Sequence, residues 1–307
     1  MTVYAGFRDL PEAAKGHSVA LGNFDGLHSG HLAVIDAARA VGGKLGVATF
    51  EPPPRAFFRP EDPPFRLMRP GRRNSKIAAA GVDAVFEIPF NADLAGMTDE
   101  AFVREVLVDG LGVHHVAVGF DFRFGRGRMG DAGRLASLGR AMGFDTTIVD
   151  KVQTMDVKAS STAIREALIA GEPDRAAAML GEPWIADGVV EHGEKRGRTI
   201  GFPTANIHLG DLLHPRHGVY AVRVRLDREG SWINGVANFG RTPTTGLRDP
   251  LLETFLFDFD GDLYGKWIEV ALVSYLRPEL KFDALDEMVE QMHADCDEAR
   301  GRLDRLR

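Results

Sequence analysis

Two short segments of this 307-residue chain concentrate groups that could bind and transfer phosphate. The first runs from Gly22 to His31 and reads GNFDGLHSGH. Its glycines let the backbone approach a phosphate closely, and His28 and His31, three residues apart, share one face of a helical turn. If this segment joins a strand to a helix, the N–H groups at the helix start complete a site for a triphosphate.

The second segment runs from Gly193 to Asn206 and reads GEKRGRTIGFPTAN. On an extended chain the side chains of Thr204 and Asn206 face the same side. A hydroxyl and an amide oxygen are hard ligands that suit Mg²⁺ bridging the phosphates of a nucleotide. A solvated basic turn explains the same residues, so the pattern alone leaves both interpretations open.

The elements around the two segments change in type halfway along the chain. Up to about Pro183, short β-rich runs alternate with stretches of helical apolar spacing, which is typical of a parallel sheet covered by helices on both faces. The predicted strands are Val19–Leu21, Leu45–Phe50, Ala84–Ile88, Val116–Val118 and Thr146–Val149. The predicted helices include Asp99–Asp109 and Ser161–Ala170.

Beyond Trp184 the apolar residues alternate with polar ones, as in a strand with one face in water. The predicted strands and helix of this half are Tyr220–Leu226, Ile233–Phe239, Leu252–Phe259, Trp267–Tyr275 and a terminal helix from about Ala284. The sequence therefore predicts an α/β plus β protein. We expect a doubly wound parallel sheet in residues 1–182 and a small antiparallel β-barrel with a terminal helix in residues 183–307.

The first segment resembles the HxGH nucleotidyltransferases, and its Phe-Asp-Gly form is similar to their FAD synthetase branch. Two further stretches match that family in the same order, Gly119–Gly125 (GFDFRFG) and Ser160–Arg165 (SSTAIR). The resemblance implies a Rossmann-like fold that transfers the AMP part of ATP to FMN. Pro53 stands where a histidine is common in this family, which predicts slow transfer if that histidine takes part.

The same resemblance implies roles for individual residues. His28 and His31 are expected to stabilise the transferred phosphate, and Arg165 is expected to assist the departing pyrophosphate. Ser161 and Thr162 are expected to cap a helix whose N-terminus binds anions. The expected nucleotide-binding residues are Gly22, Asn23, Phe24, Asp25, Gly26, Gly30, Ser161 and Thr162. The expected flavin-binding residues are Asp121, Phe122, Arg123 and Phe124.

The second segment resembles the riboflavin kinase signature G-R-x-x-G-F-P-T-A-N. Downstream stretches match that family in order, at Asn238–Thr244, Leu252-Glu253, Tyr264-Gly265 and Arg277–Phe282. The resemblance implies that Glu253 is the general base for the ribityl hydroxyl and that Thr204 and Asn206 hold Mg²⁺. Further expected nucleotide contacts are Gly193, Arg198, Gly201, Phe202 and Pro203, and Arg277 is an expected flavin contact. Thr242 and Phe255 replace an arginine and a histidine that are common in the family.

Together the two resemblances imply a bifunctional enzyme that phosphorylates riboflavin to FMN and adenylylates FMN to FAD, with ATP as co-substrate and Mg²⁺. Two alternatives stay open at this point. The C-terminal half could bind flavin without catalysis, or the whole chain could be a flavin carrier. ADP formation from riboflavin and ATP would exclude the first alternative, and flavin binding without ATP turnover would support the second.

Composition limits the remaining partners. The net charge of −7 does not favour a nucleic acid partner, since such domains are usually basic. No apolar run approaches membrane-spanning length and no secretory signal precedes the first strand, so we expect a cytoplasmic protein. The single cysteine, Cys296, shares helical spacing with Leu285, Met288, Val289 and Met292, which predicts a buried inert thiol.

Overall fold

The computed structural model describes residues 1–150, 159–192, 201–227, 230–240 and 250–305. The chain divides into two compact units. The first unit consists of Met1–Asp62 and Pro70–Ala159, and the second of Pro63–Arg69 and Ser160–Arg307. The domain boundary predicted between residues 182 and 183 stays a prediction.

The first unit contains a six-stranded parallel sheet in the order β1-β4-β3-β2-β5-β8. A two-stranded hairpin of β6 and β7 follows β5. The strands are β1 (Thr2–Ala5), β2 (His17–Leu21), β3 (Lys44–Glu51), β4 (Ala84–Pro89), β5 (His115–Gly119), β6 (Arg123–Phe124), β7 (Gly130–Asp131) and β8 (Asp145–Val149). All five predicted strands are present. The edge strand β1 is additional, because a four-residue strand with little buried surface leaves a weak sequence signal.

Helices pack on both faces of this sheet. They are α1 (Ser29–Ala40), α2 (Pro54–Phe58), α3 (Pro70–Ala79), α4 (Ala92–Gly96), α5 (Asp99–Ala101) and α6 (Ala132–Met142), with a π-helix at Phe102–Gly110 and 3₁₀ turns at Glu12–Ala14 and Arg126–Arg128. Within β2, Val19 and Leu21 belong to one apolar cluster and Ala20 to the other, so both faces of the central strand are buried. This burial on both sides confirms the predicted doubly wound sheet.

The helix predicted from Asp99 to Asp109 forms, but most of it is a π-helix. Leu111 N–H donates to the Val106 carbonyl at 2.9 Å, which is the five-residue spacing of a π-helix. The wider turn still buries Phe102, Val103 and Val106 in the core. Apolar spacing therefore predicted the buried face, whereas the backbone hydrogen-bond pattern could not be inferred from it.

The described residues of the second unit form two helices, a six-stranded antiparallel sheet and a terminal helix. The sheet has the order β10-β13-β12-β11-β14-β9. The elements are α7 (Ser161–Ala170), α8 (Pro173–Leu180), β9 (Trp184–Val189), β10 (Thr204–His208), β11 (Gly218–Arg225), β12 (Ile233–Gly240), β13 (Leu251–Leu256), β14 (Trp267–Arg277) and α9 (Leu285–Asp304). Glu191, just after β9, forms an antiparallel bridge with Asn206 of β10, so the two edges of the curled sheet meet as in a small barrel.

The terminal helix α9 packs against the sheet through Cys296, Ala299 and Leu303. Burial raises the pKa of the Cys296 thiol to about 11, as expected for an inert cysteine. Leu285, predicted on the same buried face, is exposed at the first position of the helix. Across the residues that the structure describes, no helix is long and apolar enough to cross a membrane.

Candidate active sites

The loop between β2 and α1 has a strained backbone that two buried side chains hold in place. Phe24 and Leu27 have positive φ angles of 52° and 43°, and Gly26 has one of 95°. Non-glycine residues rarely adopt this conformation. Phe24 and Leu27 are only 1% and 2% exposed and belong to the apolar core. Their burial, worth about 1.5–3 kcal/mol for each side chain, offsets the strain and fixes the loop.

The rest of this loop is anchored through its backbone to β3, the neighbouring strand. Gly22 N–H donates to the Ala48 carbonyl at 3.1 Å, and the Thr49 hydroxyl donates to the Asn23 carbonyl at 3.2 Å. The Asn23 side chain is exposed, and Asp25 is half-buried. The predicted nucleotide-binding residues of the loop therefore lie on a fixed turn at the carboxyl end of the central strand.

The two histidines stack at the start of α1. Their ring centroids are 3.8 Å apart with an angle of 19° between the rings, and Phe24 lies 5.3 Å from the His31 ring. His28 is the N-cap residue and is 8% exposed, whereas His31 is in the first turn and is half-buried. The first turn has no acidic residue, so the helix dipole and the imidazoles together favour an anion.

The loop lies at the topological switch point of the sheet. Strand β2 has β3 on one side and β5 on the other, and the chain order reverses between β2 and β5. Ligands of such sheets bind at the carboxyl ends of the strands beside this point. The segment Gly119–Gly125 follows the carboxyl end of β5, so the sheet brings the first two motifs of this half to one edge.

The expected flavin residues lie in this second motif. Asp121 and Arg123 are exposed, and Arg123 pairs with Asp131 at 3.4 Å across the β6–β7 hairpin. The rings of Phe122 and Phe124 are stacked, with centroids 5.7 Å apart. The side chain of Phe124 is buried, whereas that of Phe122 is half-buried. The hairpin therefore presents one aromatic ring and two charged groups at the edge of the sheet.

These rings continue into a phenylalanine arc that sequence reasoning missed. Consecutive rings along the arc are between 5.2 and 6.3 Å apart. Its members, in order, are Phe58, Phe57, Phe90, Phe50, Phe102, Phe124 and Phe122. The middle of the arc is buried, whereas Phe58 is 62% exposed and Phe57 is 37% exposed. A sequence signal existed in the phenylalanines that end β3 and follow β4 and β5, but only the sheet order shows that they meet.

The third motif of this half forms the start of α7, which belongs to the second compact unit. The prediction that Ser161 and Thr162 cap this helix is wrong. Ser160 has extended dihedral angles and is the N-cap, and its hydroxyl accepts from Ala163 N–H at 3.1 Å. Ser161 and Thr162 are the first two helical residues, so their side chains do not occupy the capping position.

Arg165 lies one turn further along α7. Its Nε donates to the Phe65 carbonyl at 2.7 Å, and its guanidinium lies 5.5 Å from the centroid of the Phe65 ring. The side chain is half-buried. A role of Arg165 in the departure of pyrophosphate stays a prediction.

In the second unit, strand register brings the proposed base and metal ligands together. Asn206 on β10 lies directly opposite Glu253 on β13, and Thr204 lies opposite Phe255. Directly paired residues project from the same face of a sheet with their Cβ atoms about 4.5–5.5 Å apart. Glu253 and Phe255 are half-buried on this face, whereas Leu252 points to the interior. The three expected residues Thr204, Asn206 and Glu253 therefore form one group.

The residues before β10 form part of the same region. Gly201 has a positive φ of 87°, Phe202 is buried, and Pro203 is exposed. The Phe202 ring contacts Phe255 at 5.1 Å and His293 of α9 at 5.0 Å between centroids. The expected nucleotide contacts Gly193 and Arg198 lie outside the described residues.

Arg277, the expected flavin contact of this unit, ends β14 and pairs with α9. Its Nε and Nη2 donate to the two carboxylate oxygens of Asp295 at 2.8 and 2.6 Å, and its Nη1 donates to the Pro278 carbonyl at 2.9 Å. This bidentate pair joins the end of the strand to the terminal helix. A contact between Arg277 and flavin stays a prediction.

Comparison with known proteins assigns the two parts of the chain to two families. The family model of FAD synthetase matches residues 10–163, and that of riboflavin kinase matches residues 180–303. The chain is 38% identical to the bifunctional riboflavin kinase/FMN adenylyltransferase of Haemophilus influenzae, covering 98% of both chains. It is 40% identical to the enzyme of the same name from Pseudomonas fluorescens, covering 98% of this chain and 97% of that one.

A solved structure covers almost the whole chain as well. It is a protein of Streptococcus pneumoniae described as a macrolide-efflux protein, 30% identical, with a TM-score of 0.82 over 96% of this chain and 97% of that one. The fold and the two family models define an FAD synthetase sheet followed by a riboflavin kinase barrel. The chain belongs to the bifunctional riboflavin kinase/FMN adenylyltransferase family. The resemblance inferred from the motifs is thereby confirmed.

Proposed function

We propose that this chain converts riboflavin to FAD in two ATP-dependent steps, with Glu253 as the base of the kinase step and His28 and His31 at the transferred phosphate of the adenylyl step. The observation that carries this proposal is the register of β10 and β13, which sets Glu253 directly opposite Asn206. A general base must lie beside the phosphate-binding groups to deliver its substrate oxygen to them.

In the kinase step, the Glu253 carboxylate takes the proton of the terminal ribityl hydroxyl. The freed oxygen then attacks the γ-phosphorus of ATP, and ADP leaves with the β–γ bridging oxygen. Glu253 is half-buried, and the pairing of β13 with both β10 and β12 fixes its position in the sheet, which suits this role. The products are FMN and ADP.

The side chains of Thr204 and Asn206 fit a magnesium ion. Asn206 is 6% exposed, and its Oδ1 is buried without a hydrogen-bond partner among the described residues. A buried oxygen without a hydrogen-bond partner lowers the free energy of unfolding by about 1–3 kcal/mol unless a ligand or a metal ion binds it. The described part of the chain holds no group of three or more His, Cys, Asp or Glu residues that could bind a metal. Mg²⁺ uses few protein ligands and is completed by phosphates and water. When bound, the ion would neutralise charge on the β- and γ-phosphates.

In the adenylyl step, a phosphate oxygen of FMN attacks the α-phosphorus of ATP, and pyrophosphate leaves. The imidazoles of His28 and His31 stack at the N-terminus of α1. This arrangement supports a role in donating hydrogen bonds to the transferred phosphate as charge develops. No covalent intermediate with the protein is required. Arg165 is proposed to assist the leaving pyrophosphate.

The exposed end of the phenylalanine arc supports a flavin site in the first unit. Phe57 and Phe58 are in contact with each other and with Phe90, and all three expose part of their rings. The flat isoalloxazine ring can stack on such surfaces while its polar edge stays in water. Phe122 offers a second aromatic surface at the other end of the arc.

A chromatographic time course with riboflavin, ATP and Mg²⁺ tests these roles. The wild type should form FMN and then FAD. Glu253→Gln should form no FMN but should still convert supplied FMN to FAD, with Glu287→Gln on an exposed position of α9 as its matched control. The double variant His28→Ala/His31→Ala should form FMN without FAD, with His114→Ala as its control.

Other results would reject parts of the proposal. FMN formation by Glu253→Gln would exclude it as the base, and FAD formation by the double variant would exclude the histidines. Flavin binding without ATP turnover by the wild type would replace the whole proposal with a carrier. The proposal also includes a cytoplasmic location and no nucleic acid partner, which cell fractionation and a binding assay test.

A further inference from the structure

A row of three polar side chains crosses the sheet of the second unit. Strand register pairs Glu253 of β13 with Asn206 of β10 on one side and with Asn238 of β12 on the other. Because directly paired residues share a face, both amides flank the carboxylate with Cβ separations of about 4.5–5.5 Å. Glu253 therefore lies between two asparagines.

The two asparagines differ in their surroundings. Asn206 is buried, and its unpartnered Oδ1 is the oxygen assigned above to the metal. Asn238 is half-buried, and its side chain makes no hydrogen bond to any other residue that the structure describes. Its neighbours on the strand, Ala237 and Phe239, point to the interior. The Asn238 amide therefore lies on the Glu253 face and is not committed to another group there.

We propose that Asn238 is a positioning residue for Glu253: its Nδ2, which makes no such bond in this structure, donates to the Glu253 carboxylate when riboflavin and ATP are bound. The inference rests on the proposed role of Glu253 in the kinase step. An amide NH₂ is a donor that a carboxylate accepts strongly, whereas the amide oxygen suits a metal. The two asparagines thus have different proposed roles. Asn206 presents its amide oxygen to the metal, and Asn238 presents its NH₂ group to Glu253.

A series of substitutions at Asn238 separates this role from packing. Asn238→Ala should lower kcat for FMN formation about tenfold, the loss for one hydrogen bond to a charged group, with KM for riboflavin and ATP within about twofold. Asn238→Gln keeps an amide and should restore part of kcat. Asn238→Asp keeps the size but sets two carboxylates directly opposite each other, so it should be the slowest variant.

If Asn238 donates a hydrogen bond to Glu253, kcat for FMN formation should fall in the order wild type, Asn238→Gln, Asn238→Ala, Asn238→Asp. If Asn238 only fills space, Asn238→Asp should have a kcat close to that of the wild type, because aspartate has the size of asparagine. That result would overturn the inference. A rise in KM with unchanged kcat would also overturn it, because it would mean direct substrate contact. Conversion of supplied FMN to FAD and the melting temperature of the full chain report that each variant is folded.

Matched variants distinguish failure of this inference from failure of the proposed function. Asn234→Ala changes the same residue type on the same face of β12, four residues away, and should leave kcat unchanged. If Glu253→Gln abolishes FMN formation and Asn238→Ala does not affect it, the positioning role alone is rejected. If Glu253→Gln remains active, the base assignment fails and the role of Asn238 fails with it.

Discussion

A methyl group added at Gly30 tests whether the position of the His28 ring sets the rate of adenylyl transfer. Gly30 is the second residue of α1 and does not need a positive φ. A Cβ at this position would lie 3.1 Å from Cε1 and 3.2 Å from Nδ1 of His28. Ordinary contacts of this kind begin near 3.4 Å, so the ring must move by a few tenths of an ångström.

The surroundings of the ring limit where it can go. His28 is 8% exposed and already stacks on His31 at 3.8 Å between centroids. Misplacement of a catalytic group by about 1 Å can cost about 100-fold in rate, so a shift of about 0.3–0.5 Å corresponds to about three- to tenfold. We therefore expect Gly30→Ala to lower kcat for FAD formation by about three- to tenfold.

The same substitution should not weaken the fold. Alanine is better than glycine in a helix by up to about 1 kcal/mol, which offsets the strain of the new contact. The assay measures FAD formed from supplied FMN, FMN formed from riboflavin, and the free energy of unfolding in urea. FMN formation should be unchanged, because it belongs to the proposed kinase site.

Gly96→Ala is the matched control, since a Cβ there meets no atom within 4 Å and the residue is in the same unit. Its FAD formation should equal that of the wild type. If Gly30→Ala also forms FAD at the wild-type rate with unchanged stability, the His28 ring is free to move and the argument from packing is refuted.

Three further substitutions or conditions give separate outcomes. Asn206→Ala should abolish most kinase activity yet leave the free energy of unfolding without metal unchanged or raised by about 1 kcal/mol, because it removes a buried oxygen without a partner. Burial lowers the pKa of His17 and His115 from 6.5, and urea unfolding should therefore show full stability above about pH 6.5 and a loss as the pH falls toward the lowered pKa values. Gly235→Ala should destabilise the second unit by about 1–3 kcal/mol and slow FMN formation, because its Cβ would lie 2.5 Å from the Phe255 carbonyl.

Each of these outcomes has a control. If Asn206→Ala clearly lowers the free energy of unfolding without metal, the conclusion that Asn206 Oδ1 has no hydrogen-bond partner is contradicted. His115→Gln should show a smaller loss of stability between pH 7.5 and 5.5 than the wild type. An equal loss would contradict the claim that protonation of His115 causes part of the loss. Gly301→Ala, where a Cβ meets no atom within 4 Å, is the control for Gly235→Ala. Equal stability of these two glycine variants would contradict the close approach of β12 and β13.

The surroundings of His115 explain why protonation of its ring is unfavourable. Ser18 Oγ donates to the Ala38 carbonyl at 2.7 Å and lies 2.9 Å from His115 Nδ1, while Thr147 Oγ1 lies 2.9 Å from His115 Nε2. Because the Ser18 proton is used, Nδ1 donates to Ser18 and Nε2 accepts from Thr147. Burial away from water disfavours the charged imidazolium, which is the main reason that the pKa of His115 is lowered. The neutral ring therefore joins β2, β5 and β8.

Sequence alone determined the elements whose signals are local. The glycine and histidine spacing of Gly22–His31 identified a strand-to-helix loop, and alternation around Tyr220 identified the strand Gly218–Arg225. The face predicted to lie in water is instead covered, because Ala221 packs against α9. Both patterns depend on neighbours within a few residues, where side-chain direction follows from backbone type. The two-unit order of a parallel sheet followed by an antiparallel one could be predicted for the same reason.

Local signals failed where several residues compete for one role. Ser160, Ser161 and Thr162 are all good N-caps, and only the extended backbone at Ser160 shows which one accepts the hydrogen bond. Similarly, apolar spacing predicted a helix from Asp99 but did not distinguish an α-helix from the π-helix that forms at Phe102–Gly110. The choice depends on backbone geometry that composition does not encode.

Tertiary structure decided which distant residues meet. The phenylalanine arc joins rings from β3, the π-helix and the β6–β7 hairpin, and the row of Asn206, Glu253 and Asn238 joins three strands. A shift of one residue in register would turn the side chains of a strand to the opposite face. Register is set by the whole sheet and its packing against α9, so the sequence supplied the chemical groups and the fold determined their neighbours.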